Sequence, residues 1–235
     1  PDFISCDMNK ILILTLDIEV ACESGFPDAQ KADEPLLCIT VKNQSNKAIM
    51  VWGVADYNTD RKDVRYILCD NETDLLKKFL DFWSSIQPDI VTGWNVQFFD
   101  IPYLCNRIDK LFGEKEVKKL SPWGYVNEES VYQYGRQQQK YDIFGVACLD
   151  YLDLYRKFTY TNQESYRLDH IAHVELGERK GENPYETYQE WYTKDYQSFV
   201  DYNIQDVELV DRLEDKMKLI ELALTVAYEA KVNYE

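Results

Sequence analysis

Asp17 and Glu19 stand two residues apart in the stretch KILILTLDIEVAC, with Ile18 between them. On a strand, residues two apart point to the same side, so both carboxylates leave one face together. Two like charges at the end of an apolar strand repel each other and lose hydration, which costs stability unless a positive group sits between them. Asp100 follows GWNVQFF at the entrance to a helix, and the ends of strands and starts of helices are where α/β folds gather their sites. Asp206 lies in DYNIQDVELV four residues after Tyr202, which places both side chains on one helical face. Four carboxylates gathered in this way fit a site for two divalent cations. Hard ions such as Mg²⁺ or Mn²⁺ take oxygen ligands, and a pair about 3.5–4 Å apart holds the attacking and leaving oxygens of a phosphoryl displacement. Tyr202 is expected to hold the attacking water in line through its hydroxyl. Each residue alone has a plainer reading: D-x-E as a solvated strand end, Asp100 as a helix cap, Tyr202 as packing above a surface Asp206.

The elements that must position these groups are legible from periodicity. Lys10–Leu16 reads as a strand buried on both faces and ending in the two acids, and Leu36–Val41, Ala48–Trp52 and Val64–Leu68 are three further strands, the first two joined by an NQSN turn. Asn71 is expected to cap a helix running to about Gln87, with Leu75, Leu76, Phe79, Leu80, Trp83 and Ile86 on one buried stripe. PDIVTGWN is a short strand that breaks at Gly93, and Ile101–Phe112 a helix closed by Gly113. The segment from Gly124 to Phe144 reads as a long hairpin with Gly135 near its tip. Val146–Leu149 is a strand, and helices are expected near Tyr151–Phe158, Leu168–Leu176 and Trp191–Ala230, the last either continuous or interrupted. Strands first and then strands alternating with helices predict an α/β fold of three layers, a mixed central sheet flanked by helices.

Composition narrows the function classes. Across 235 residues, 45% are apolar and 18 are Tyr, which suits a folded chain. No apolar run is long enough for a membrane span, and PDFISCDMNK does not read as a signal peptide. The six cysteines are scattered without a C-x-x-C, which favours reduced thiols over a disulfide framework, and His170 and His173 read as a half-buried face rather than zinc ligands. A net charge of −16, from 42 acidic and 26 basic residues, argues on its own against a nucleic-acid partner.

The motifs point the other way. TLDIEV, TGWNVQFFD and YNIQD look like the three exonuclease motifs of the family B DNA polymerases, D-x-E, N-x-x-x-F-D and Y-x-x-x-D, and FPD, SPWG and LDYLDLYRKF are similar to segments of the T4-like bacteriophage group. The resemblance runs over nearly the whole chain. It implies a ribonuclease H-like fold and a 3′→5′ proofreading exonuclease, one domain over 1–235 with a hairpin insertion at about 125–141. It makes Asp17, Glu19, Asp100 and Asp206 the ligands of two ions, Mg²⁺ or Mn²⁺, with Asp17 bridging both. Tyr202 falls in the tyrosine subclass, since the position that a histidine subclass would use is Asp201. Asn95 and Phe99 match positions that contact the terminal nucleotides. Phe26 matches an aromatic that wedges between bases, a sequence-tolerant contact. The Tyr125–Tyr141 hairpin would help to separate primer from template, with Arg136 as a DNA contact beside the acidic Glu128 and Glu129. The implied partners are the 3′ end of single-stranded DNA and a polymerase domain or subunit. No D-x-x-S-L-Y-P-S or D-T-D motif occurs here, so the chain reads as an excised domain or one piece of a split polymerase, acting in the cytoplasm of an infected bacterial host. An exonuclease-like domain that only binds DNA, and an RNA-processing exonuclease of the same fold, are the competing readings.

Overall fold

The structure is a computed structural model that describes residues 10–23, 25–133, 135–181 and 183–232. Its central sheet contains β1 (Ile13–Val20), β2 (Leu36–Asn43), β3 (Ile49–Gly53), β4 (Val64–Leu68), β5 (Ile90–Gly93) and β8 (Ala147–Asp150) in the spatial order β4-β3-β2-β1-β5-β8. The β1–β2 and β2–β3 pairs are antiparallel, whereas β3–β4, β1–β5 and β5–β8 are parallel, so the sheet is mixed. Two further strands, β6 (Val126–Gln133) and β7 (Arg136–Ile143), form a separate antiparallel hairpin. The helices are α1 (Glu72–Ile86), α2 (Asp100–Phe112), α3 (Glu114–Val117), α4 (Tyr151–Phe158), α5 (Leu168–Leu176), α6 (Tyr188–Lys194), α7 (Tyr196–Met217) and α8 (Leu219–Ala230).

Alternation along β1 decides the layers. Leu14, Leu16, Ile18 and Val20 join Phe79 and Trp83 of α1 and Leu104 and Ile108 of α2 in one buried cluster, while Ile13 belongs to a second with α4, α5, α8 and the later turns of α7. A third cluster sets Val200 and Ile204 of α7 against Cys38, Ile49 and Val51. The odd-numbered face of β1, which bears Asp17 and Glu19, therefore looks toward α7. An ion network fixes that helix to the sheet: Asp211 takes the Lys42 ammonium at 2.9 Å and the Lys47 ammonium at 2.8 Å, and Lys42 and Asp211 are both buried.

One expectation needs correction and another is made definite. Asp17 and Glu19 do not end the first strand; they lie inside it, because β1 keeps its pairing with β2 through Asp17↔Thr40 and Glu19↔Cys38, with a register shift between Glu19 and Val20. The helical stretch over Trp191–Ala230, expected as one helix or an interrupted one, takes the interrupted form, as three helices. It breaks at Asp195, whose carboxylate caps α7 by accepting from the Ser198 amide at 3.1 Å, and at Lys218, which adopts a left-handed φ of 56°. Among the described residues no helix is long and apolar enough to cross a membrane. Cys22, Cys38, Cys69 and Cys105 are buried thiols, and Cys6 lies outside the described residues.

Candidate metal centre and nucleic-acid cleft

The centre forms where β1 outruns its parallel neighbour. Pairing of β1 with β5 ends at Thr15↔Thr92, and the chain turns out of the sheet at Gly93. A β-carbon on Gly93 would stand 2.5 Å from the Leu16 carbonyl oxygen, so only glycine lets the chain leave this close to β1. The loop 94–99 then delivers Asp100 to the first turn of α2. Asp100 is no helix cap: the capping position is Phe99, and the Asp100 carboxylate accepts instead from the backbone amide of Ile18, at 3.1 Å. The amide between Asp17 and Glu19 thus holds a third acid beside them.

α7 brings the fourth. Asp17, Glu19 and Asp206 each offer a carboxylate oxygen within 4.8 Å of one another. Asp100 stands outside that trio but lines the same cleft, together with Tyr202, Phe26, Asn95 and Phe99. The cleft holds about 360 Å³. Arg136 lies apart from the acids, in an adjoining groove that it shares with Phe26, Asn95 and Phe99. Asp201 points elsewhere and accepts from the Tyr57 hydroxyl at 2.7 Å. On α5, His170 is half-buried and His173 exposed.

Burial raises the proton affinity of every acid in the cleft. Asp17 is pushed well above the usual carboxylate range, first by loss of hydration and then by repulsion from Asp206, Asp100 and Glu19. Glu19 is pushed up to about 7 by burial, against the pull of the Lys180 ammonium. Asp100 and Asp206 are raised by burial as well, opposed by the Ile18 amide in the first case and by Lys180 in the second.

Three residues that shape this chemistry were not singled out from the sequence. Lys180 bonds its ammonium to Asp206 and stands 3.4 Å over the ring of Tyr202. Its segment has no helical or strand period, and it is laced into place by the Lys180 amide on Asp169 (2.7 Å) and the Gly181 amide on Gln205 (2.9 Å). Tyr188, at the start of α6, donates its hydroxyl to Glu19. Asn203 donates to Asp17 at 2.5 Å; its place between Tyr202 and Asp206 in YNIQD was the one available signal.

The donor set suits a metal ion. All candidate ligands are oxygens, the preference of a hard cation. Oδ1 of Asp206 is buried without a hydrogen-bond partner, an expensive arrangement that a bound cation would relieve. This buried acidic cluster can hold a metal ion.

Around the mouth, Phe26 is 78% exposed and rests on Phe99 with ring centroids 5.0 Å apart. Its loop is tied down from below. Arg107 of α2 grips Glu72 through Nε and Nη2, each at 2.7 Å, and donates from Nη1 to the carbonyls of Ala32 (3.0 Å) and Asp33 (2.8 Å). An exposed aromatic on an anchored loop offers an open ring face on which a planar group can stack.

A family model described as "DNA polymerase family B, exonuclease domain" matches residues 3–171. The DNA-directed DNA polymerase of Escherichia phage RB69 is 33% identical over 259 aligned residues, covering 99% of this chain and 28% of that enzyme. The DNA-directed DNA polymerase of Enterobacteria phage T4 is 32% identical over 254, covering 97% of this chain and 28% of the enzyme. The DNA polymerase catalytic subunit of Alcelaphine herpesvirus 1 is 28% identical over 229, covering 92% and 22%. The chain therefore spans less than a third of the length of these relatives.

Proposed function

The chain belongs to the exonuclease domain family of the family B DNA polymerases, and on that premise we propose that it is a single domain that removes nucleotides from the 3′ end of single-stranded or frayed DNA, with two divalent cations, Mg²⁺ or Mn²⁺, as cofactors. The observation that carries this reading is the convergence of Asp17, Glu19 and Asp206 on one point, with a buried, unpartnered oxygen on Asp206. Asp100 completes the ligand set from the same cleft. When bound, the ions supply a Lewis-acid pair that activates water and stabilises the departing 3′ oxygen.

The residues of the chain do the rest. Tyr202, one helical turn before Asp206, orients the attacking water. Asn203 and Tyr188 hold Asp17 and Glu19 by hydrogen bonds, as the partners of ligating carboxylates do. Phe26 and Phe99 stack on the terminal bases and Asn95 contacts the last nucleotide, while the strand continues past Arg136 along the hairpin. The phage relatives carry this domain within whole polymerases, which supports a polymerase region, covalently joined or separate, as its working partner in the cytoplasm of an infected bacterium.

The test is digestion of a 5′-labelled single-stranded DNA oligomer in Mg²⁺, Mn²⁺ and EDTA, beside a paired primer, a mismatched primer and the RNA oligomer of the same sequence. A ladder that shortens from the 3′ end, needs metal and is slowest on the paired primer is expected. Binding without cleavage, or a preference for RNA, would refute the proposal.

A further inference from the structure

Asp150 ends β8 and caps α4, and it does not line the cleft that holds the acidic trio. Its carboxylate is buried, 3% exposed, and collects three backbone N–H groups. Oδ1 accepts from Asn95 at 3.1 Å and from Leu152 at 2.9 Å, and Oδ2 accepts from Gln97 at 3.0 Å. The Leu152 bond caps α4 in the ordinary way. The other two reach the loop 94–99, which carries Asn95 and Phe99 and ends at Asp100.

That loop needs holding. It has left the sheet at Gly93, so no strand ladder satisfies its amides. Asn95 sits at φ 65°, a left-handed backbone that a non-glycine residue keeps only where its surroundings impose it. On the inside the Asn95 carbonyl accepts from the amides of Phe98 (3.2 Å) and Phe99 (3.0 Å) and closes the turn. On the outside the amides of Asn95 and Gln97 converge on Asp150, whose two oxygens can take both and still cap the helix.

Resting on the nuclease reading above, we propose that Asp150 is a positioning residue of this exonuclease: its carboxylate clamps the 94–99 loop so that Asn95, Phe99 and Asp100 face the acidic cluster. The alternative is a residue that only caps α4, and serine separates the two. Serine caps a helix about as well as aspartate but has a single, shorter-armed oxygen to offer. Asp150→Asn keeps one acceptor and turns an NH₂ toward the Gln97 amide, so it breaks that bond and spares the cap.

The experiment measures amide hydrogen exchange at Asn95 and Gln97 in EDTA for the wild type, Asp150→Ser and Asp150→Asn, with the β1–β2 amides as an internal reference, together with melting temperature and kinetics on single-stranded DNA. In Asp150→Ser the Asn95 and Gln97 amides should exchange at least about tenfold faster while the reference amides hold, and kcat/KM should fall by about ten- to a hundredfold, the usual loss when a supporting hydrogen bond behind a metal site is removed. Asp150→Asn should speed Gln97 more than Asn95 and lose less activity; it decides the matter if the serine variant does not fold. Unchanged exchange at both amides, or faster exchange with wild-type kinetics, would leave Asp150 a helix cap and overturn the inference. A wild-type chain that digests nothing refutes the nuclease reading instead, and the exchange data then judge the clamp by themselves.

Discussion

The ammonium of Lys180 is bonded to the carboxylate of Asp206, and both side chains are almost wholly buried. Among the described residues, the cluster of four acids thus meets one fixed positive charge from the chain itself, supplied by a segment that carries no motif. One cation does not balance four carboxylates, and Oδ1 of Asp206 still has no partner. The acids keep an excess of negative charge, which protons or metal ions must offset.

Removing Lys180 should therefore cost stability when metal is absent. Lys180→Met leaves Asp206 buried without its ion partner, a change worth up to about 3–5 kcal/mol before protonation relieves it. The variant is expected to melt several degrees lower than the wild type in EDTA and to gain more from added Mn²⁺. Thermal melts with and without the ion check both halves, and an unchanged melting temperature in EDTA would mean that the pair contributes nothing.

The ligand set makes a graded prediction for activity. Asp17→Ala and Asp206→Ala should reduce the nuclease to background, since each deletes a carboxylate from the point where the oxygens meet. Tyr202→Phe should cost only roughly three- to tenfold in kcat, the worth of one hydrogen bond of about 1 kcal/mol. Single-turnover rates on an oligomer test the ranking; equal, near-complete loss in all three variants would give Tyr202 a role beyond holding water.

The raised carboxylates predict how stability depends on pH in EDTA. Glu19 holds its proton up to about pH 7 when folded, whereas an unfolded Glu loses it near 4.3. Between those values the folded state binds more protons than the unfolded one, so stability falls as pH rises. Asp17 and Asp100, also raised by burial, add to the same slope. The melting temperature should decline from about pH 5 to pH 7.5 in EDTA, more gently in Glu19→Gln, and hardly at all in saturating Mn²⁺, which binds the ionised form. A flat profile in EDTA would show that the acids are hydrated in solution.

Phe26 is assigned to substrate and not to chemistry, so its loss should appear in KM. Stacking on one base is worth about 1–3 kcal/mol. Phe26→Ala is expected to raise KM on single-stranded DNA by about tenfold with kcat within a factor of about three, as measured by steady-state kinetics. A large drop in kcat with KM unchanged would move Phe26 into the reacting centre.

Much of this molecule is written locally along its chain. The alternation of KILILTLDIEV, the stripe of α1 and its Asn71 cap, the break at Gly93 and the spacing of Tyr202 to Asp206 depend on neighbours within a few residues. A linear reading recovers such features because strand and helix periods are short-range. The mixed sheet flanked by helices followed from their order. Only the tertiary structure decided that Asp17 and Glu19 lie inside β1, since their pairing comes from β2. It also turned Asp100 from a plausible helix cap into the partner of the Ile18 amide, 82 residues away. Lys180 and Tyr188 gave no sign of the carboxylates they meet, because nothing in their own segments differs from ordinary loop lysines or surface tyrosines, and Asp150 in LDYLDLYRKF reads locally as no more than a helix cap. Their importance lies in which distant atoms they meet, and that is set by how β1, α2, α4 and α7 pack together, a long-range outcome that no local period encodes.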